Sequence, residues 1–239
     1  MSDTTSSFNK LLITRPEEVP SAPPTQAPER GAALGLLSLA ASILFYCSPT
    51  ALRQTSLYQF LPQLFAYAAF IAWSALNGSI VQRVGLTATR FPQGLRWGVA
   101  TGLFLGTINV LFILYLVPLL GGDYRFLADT PHAKVPLWVM VPWLSFFIAA
   151  TVEMNFRGFF LGRLLAMGLW TPAAVVVSAL LFAFDPFLVA TFQQLHWIAL
   201  WDGLVWGALW VTMRNLYATI VAHAVEVILL YLVIRAVLN

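Results

Sequence analysis

Seven long apolar stretches dominate this chain, and they leave few ways for it to fold. They cover residues 33–49, 57–76, 95–119, 136–152, 172–190, 197–213 and 216–238. About twenty apolar residues cross the hydrocarbon core of a bilayer as a helix. A spanning segment must satisfy its own backbone polar groups, which selects helices or a closed barrel. Barrel strands alternate in polarity, and these stretches do not. The expected fold is all-α: a polytopic membrane protein with about seven transmembrane helices. The shorter stretches read as tilted neighbours or partial spans, and the fourth is expected to continue as helix through residue 167. Composition agrees, with 59% hydrophobic and 10% charged residues, against about 25% charged in a soluble domain.

Residues 1–31 are of another kind. They are rich in Ser, Thr, Pro and charge, and Pro16, Pro20, Pro23, Pro24 and Pro28 forbid a continuous helix. A disordered cytoplasmic tail is expected there, followed by one helical membrane domain over residues 32–239. The apolar stretch begins too late for a cleaved signal peptide, and no small-residue cleavage site follows. With seven spans, Lys10, Arg15, Arg30, Arg83, Arg90, Arg96, Arg157, Arg163 and Arg214 face one side, and Arg53, Arg125, Lys134 and Arg235 the other. The positive-inside rule then places the N-terminus in the cytoplasm. The plasma (inner) membrane of a prokaryote is the expected location. Trp138, Trp143, Trp170, Trp197 and Trp201 fall near span ends, where an amphipathic ring belongs. Gly98, Gly102 and Gly106 recur every four residues, which lets a neighbouring backbone approach closely. The single cysteine, Cys47, excludes an internal disulfide and a multi-cysteine metal site, and reads as a core or lipid-facing residue. Net charge is only +3 and no dense basic patch appears. The lipid bilayer is the expected partner, and nucleic acid is not.

Ionisable groups within the spans carry the functional information, because each costs roughly 2.5–3.5 kcal/mol to insert. Glu153 and Arg157 are four apart, stacked on one helix face and able to pair. They read equally as an ion pair pinning two helices or as a carboxylate held beside a water-filled cavity. His223 and Glu226 share a face of the last span, and together they favour a polar cavity over simple helix packing. Asp185 either caps an exit loop or points inward. His196 and Asp202 look interfacial, and His132 reads as a solvated loop residue. There is no His-Glu-x-x-His pair for zinc, no Gly-x-Ser-x-Gly elbow and no Gly-rich phosphate loop.

Three segments, in this order, resemble the CPBP family, the CAAX-type prenyl endopeptidases and bacteriocin-processing-related membrane proteins. The first is Val152-Glu153-Met154-Asn155-Phe156-Arg157-Gly158-Phe159-Phe160, similar to the family's Glu-Glu-x-x-x-Arg-Gly motif. The second, Ser178-Ala179-Leu180-Leu181-Phe182-Ala183-Phe184, is similar to the helix carrying Phe-x-x-x-His. The third comprises Gly203, Gly207 and the stretch from Arg214 to Ala224 with His223, similar to the closing helix with its His-x-x-x-Asn motif. The lead-in around Arg90-Phe91-Pro92 also fits, so the resemblance covers roughly residues 80–238.

The resemblance implies an intramembrane endopeptidase acting on membrane-bound or lipid-anchored peptides or proteins. Glutamate and histidine would activate a water, which needs a base near the operating pH and donors aimed at the developing oxyanion. It implies Glu153 and His223 as catalytic residues, supported by Arg157, Glu226 and Asp185. A cofactor is not implied with certainty; a divalent metal is compatible with the resemblance, although no ligand spacing supports it. The chain departs from the pattern at Val152, Pro186 and Val227, where the family has glutamate, histidine and asparagine. Asp185 and Glu226 lie one residue before two of these positions, but one residue turns a helix face by about 100°. A slow or inactive enzyme is one reading. A non-catalytic scaffold that binds a partner or peptide is the other. A transporter is disfavoured because no inverted repeat with broken helices is seen.

Overall fold

The computed structural model describes residues 28–238, so residues 1–27 of the expected tail lie outside the described residues. All regular structure among the described residues is helical. The apolar stretches become α1 (Ala32–Cys47), α2 (Leu61–Leu76), α3 (Ile80–Leu119), α4 (Leu137–Ala166), α5 (Thr171–Ala183), α6 (Pro186–Leu195), α7 (Ile198–Met213) and α8 (Leu216–Leu238). The fourth stretch does run on to Ala166. The fifth divides into α5 and α6, bent by 56° at Asp185.

The all-α, polytopic membrane architecture stands. By length and composition α3, α4 and α8 can each cross a membrane, and α5 with α6 makes a fourth crossing if the bent pair counts as one. The other three helices are shorter than 18 residues. A 16-residue helix reaches only about 24 Å, short of the roughly 30 Å hydrocarbon core. Large apolar side chains such as Leu44, Leu64, Phe104 and Phe146 face outward, as lipid contact requires.

The glycines of α3 settle its partner. A Cβ at Gly98 would lie 2.6 Å from Val221 Cβ, and one at Gly102 would lie 2.6 Å from the Ala222 carbonyl oxygen. At Gly106 the nearest backbone atom would be Glu226 Cα, at 3.2 Å. The four-residue spacing therefore seats α3 directly on α8, backbone against backbone. Gly203 likewise seats α7 on the Ala179 backbone of α5, and Gly207 makes room for the Val175 side chain.

Arginine marks one end of the bundle. Arg83, Arg163 and Arg214 surround a pocket that also holds Glu29. Arg163 Nε meets Glu29 Oε1 at 2.5 Å, and the Arg163 guanidinium lies 3.8 Å above the Trp73 ring. Trp73 Nε1 donates to the same Glu29 oxygen. The last residues of the expected tail are thus packed on the bundle. At another end Arg235 donates to the carbonyls of His132 and Val135. These groupings follow the two sides assigned from sequence, except that Arg157 is fully buried in the interior.

Candidate active site

Helix α4 widens into a π-helical stretch over Met154–Leu161, directly after Glu153. Such widening is frequent at functional sites. It leaves the Phe156 carbonyl to accept from Ser178 Oγ of α5 at 3.1 Å. Glu153 and Arg157 are both fully buried. Arg157 Nη1 donates to Glu153 Oε1 at 3.1 Å, and His223 Nδ1 reaches the same oxygen at 3.0 Å. The structure therefore joins the retained motif residues of α4 and α8 in one chain of contacts.

Aromatic faces support this chain. The Arg157 guanidinium lies 4.6 Å above the Phe182 ring and 5.1 Å from that of Trp206. The His223 ring stacks on Trp206 with centroids 4.4 Å apart. A guanidinium over aromatic faces gains cation–π attraction, strongest where water is excluded.

A cavity opens beside this chain. It offers about 70 Å³ to the centres of water-sized molecules, enough for several waters, since one needs roughly 10–15 Å³ by that measure. His223, Trp206 and Phe182 form part of its wall, and Glu153 does not. Two further carboxyls do: Asp202 of α7 and Glu226 of α8. Asn109 of α3 bridges them. Its Nδ2 lies 3.1 and 3.2 Å from the two Asp202 oxygens and 2.6 Å from Glu226 Oε1. Trp201 Nε1 donates to Asn109 Oδ1 at 2.8 Å, which fixes the orientation of the amide.

Asp202 is thus a buried member of the site, 4% exposed, and not an interfacial residue. Trp201, in the first turn of α7, also turns its Nε1 inward, to Asn109. Asp202 looked interfacial because it sits early in an apolar stretch, which from sequence looks like a span end. His196 lines the cavity, with Nδ1 2.6 Å from the Gln193 carbonyl. His132 is half-buried and packs its ring edge-on to Tyr231, so it is not fully solvated.

Asp185 sits at the bend between α5 and α6, where it is a helix cap. Its Oδ1 accepts from the backbone N–H groups of Phe187 and Leu188, and Gln63 Nε2 donates to it at 2.9 Å. Proline at the first position of α6 suits a helix start. Val227 stands on the cavity wall as an apolar group, beside Glu226. Asn109 had no sequence feature to single it out, since a neutral amide in an apolar helix looks like a packing residue.

Among the described residues no group of three or more His, Cys, Asp or Glu side chains could hold a metal ion.

Residues 134–229 match the family model described as type II CAAX prenyl endopeptidase Rce1-like. No curated protein and no solved structure matches the chain. The matched span contains all three segments that resemble the CPBP family, together with Asp202 and Glu226, and bears out that resemblance. Over that span the chain is similar to the CAAX-protease-like membrane proteins.

Proposed function

We propose that this chain is an intramembrane endopeptidase acting on membrane-bound or lipid-anchored peptides or proteins, with Glu153 and His223 at its centre. One observation supports this best: Glu153 holds Nδ1 of His223 in the interior while the same ring lines a water-sized cavity. With Nδ1–H donating to a carboxylate, the imidazole keeps Nε2 as its proton acceptor, the tautomer a general base needs. Glu153 acts through His223, and Arg157 balances the Glu153 charge.

The test uses the purified full chain in liposomes with farnesylated and palmitoylated peptides. Wild type should cleave slowly, and Glu153→Gln and His223→Ala should each lower the rate by about 10²–10³-fold, the scale of losing one polar catalytic contact. Cleavage that survives either substitution would place the chemistry elsewhere.

A second reading has its own support. Val152, Pro186 and Val227 remove three polar groups that the family pattern carries, which suits a scaffold that binds such a peptide without cutting it. Binding of the peptides with no turnover by wild type would select it. The arginine-rich end supports an N-terminus in the cytoplasm; the inner membrane of a prokaryote is the proposed location. Thr5→Cys in a Cys47→Ser background should resist an impermeant thiol reagent in intact cells, and labelling would reverse the orientation.

A further inference from the structure

The cavity holds two acids that the retained motifs do not account for. Asp202 and Glu226 are 4% and 5% exposed, come from different helices, and meet at one amide nitrogen of Asn109. Both reach the same amide nitrogen, so the two carboxyls face each other across one N–H₂ group, and a single proton shared between them would relieve their repulsion. Like charges in such proximity cannot both persist in a medium of low dielectric. Close by, Trp206 lines the same cavity, is 2% exposed, and its Nε1–H finds no partner among the described residues. Glu226 Oε2 likewise receives no donor among them. A buried donor without an acceptor is costly, and here it borders space large enough for water and part of a ligand.

We propose that Asp202 and Glu226 are the catalytic acid–base pair of this cavity, and that Trp206 Nε1 is the donor to the oxyanion. The proposal rests on the endopeptidase reading. It moves the base from His223 to this pair: His223 becomes, like Glu153, a positioning residue, stacked on Trp206 and fixing the indole that meets the oxyanion. The ionised carboxyl takes one proton from water as the water oxygen bonds to the peptide carbonyl carbon. The carbonyl π electrons move onto its oxygen, which accepts from Trp206 Nε1. The protonated carboxyl then gives its proton to the amide nitrogen as the C–N bond breaks and the C=O bond re-forms. One new acid and one new amine leave, and the pair again holds a single proton. Leu188, Phe192, Ile198 and Leu230 on the surrounding wall select an apolar side chain next to the cleaved bond.

The test compares two ligands on the full chain in nanodiscs. One is a palmitoylated hexapeptide with central leucine; the other is the same peptide with a hydroxyethylene unit replacing the central peptide bond. The second mimics the tetrahedral intermediate and should bind wild type at least about 100-fold more tightly, as intermediate mimics do. Asp202→Asn and Glu226→Gln should each abolish that preference while keeping the parent peptide's affinity. Equal affinity of both ligands for wild type would overturn the pair and leave the peptide site standing, as would a preference that survives both substitutions. If neither ligand binds, the endopeptidase reading fails and takes the pair with it. Should either variant not fold, the infrared spectrum of wild type decides. A protonated-carboxyl C=O band at neutral pH that persists in Asp185→Asn is expected, and absence of the band overturns the pair.

Discussion

The imidazole of His223 lies almost flat on the indole of Trp206, their planes 16° apart. The ring is held on one face by the indole and at Nδ1 by Glu153, so it has little freedom to turn. An orientation fixed by stacking and by a hydrogen bond is the condition for a proton carrier that meets the same partner each time.

The Glu153–Arg157 pair should behave asymmetrically on mutation. Arg157→Ala strands a carboxylate in the interior, and breaking a buried pair costs about 3–5 kcal/mol. Glu153→Gln leaves Arg157 attracted by Asp202 and Glu226 and resting on Phe182 and Trp206. Thermal melting in detergent should show Arg157→Ala as the less stable variant; coincident melts would contradict this.

Gly102→Val should disrupt the bundle. Its Cβ would meet the Ala222 carbonyl oxygen at 2.6 Å, and backbone cannot give way as a side chain can. Overpacking of this kind costs about 1–3 kcal/mol or more. Gly78→Ala is the control, because nothing lies within 4 Å of the added methyl. A drop in melting temperature for the first and none for the second is expected.

Asp185→Ala should weaken the start of α6 by about 1 kcal/mol, the usual effect of losing an N-cap. The cap role leaves peptide binding intact. A melting shift without loss of peptide affinity in calorimetry fits a cap; loss of affinity at unchanged stability would return Asp185 to a direct role in the site.

His132 lies in the connection between α3 and α4, and burial holds its imidazole below the ordinary value near 6.5. A group with a depressed cationic pKa favours the folded state above its unfolded pKa, and that favour is lost as pH falls through the folded value. Melting temperature should therefore fall on acidification from about pH 7 toward pH 5. His132→Gln should remove that part of the fall, and an identical pH profile for both proteins would exclude the contribution.

The sequence made some of this legible and hid the rest for physical reasons. Glu153 and Arg157 announced their pairing because a helix places residues four apart on one face. The glycine row announced a close contact, although not which helix would fill it. The bond from His223 to Glu153 spans 70 residues, and only the resemblance linked them. Asp202 looked peripheral because it lies near the start of its apolar stretch, and nothing in the sequence tells that Asn109 and Glu226 face it. Asn109 became visible only once two carboxyls and Trp201 were seen to converge on it.

The glycine contacts between α3 and α8 also limit how the cavity can open. Wherever Gly98, Gly102 and Gly106 touch α8, backbone meets neighbour with no slack, so these two helices are geared together and can neither slide nor roll independently. Asn109 and Glu226 ride on this rigid pair and keep their spacing through any such motion. The wall left free to move is therefore the opposite one, where the short α6 contributes Leu188, Phe192 and Leu195 and hangs from the Asp185 bend; on the endopeptidase reading a peptide would enter there.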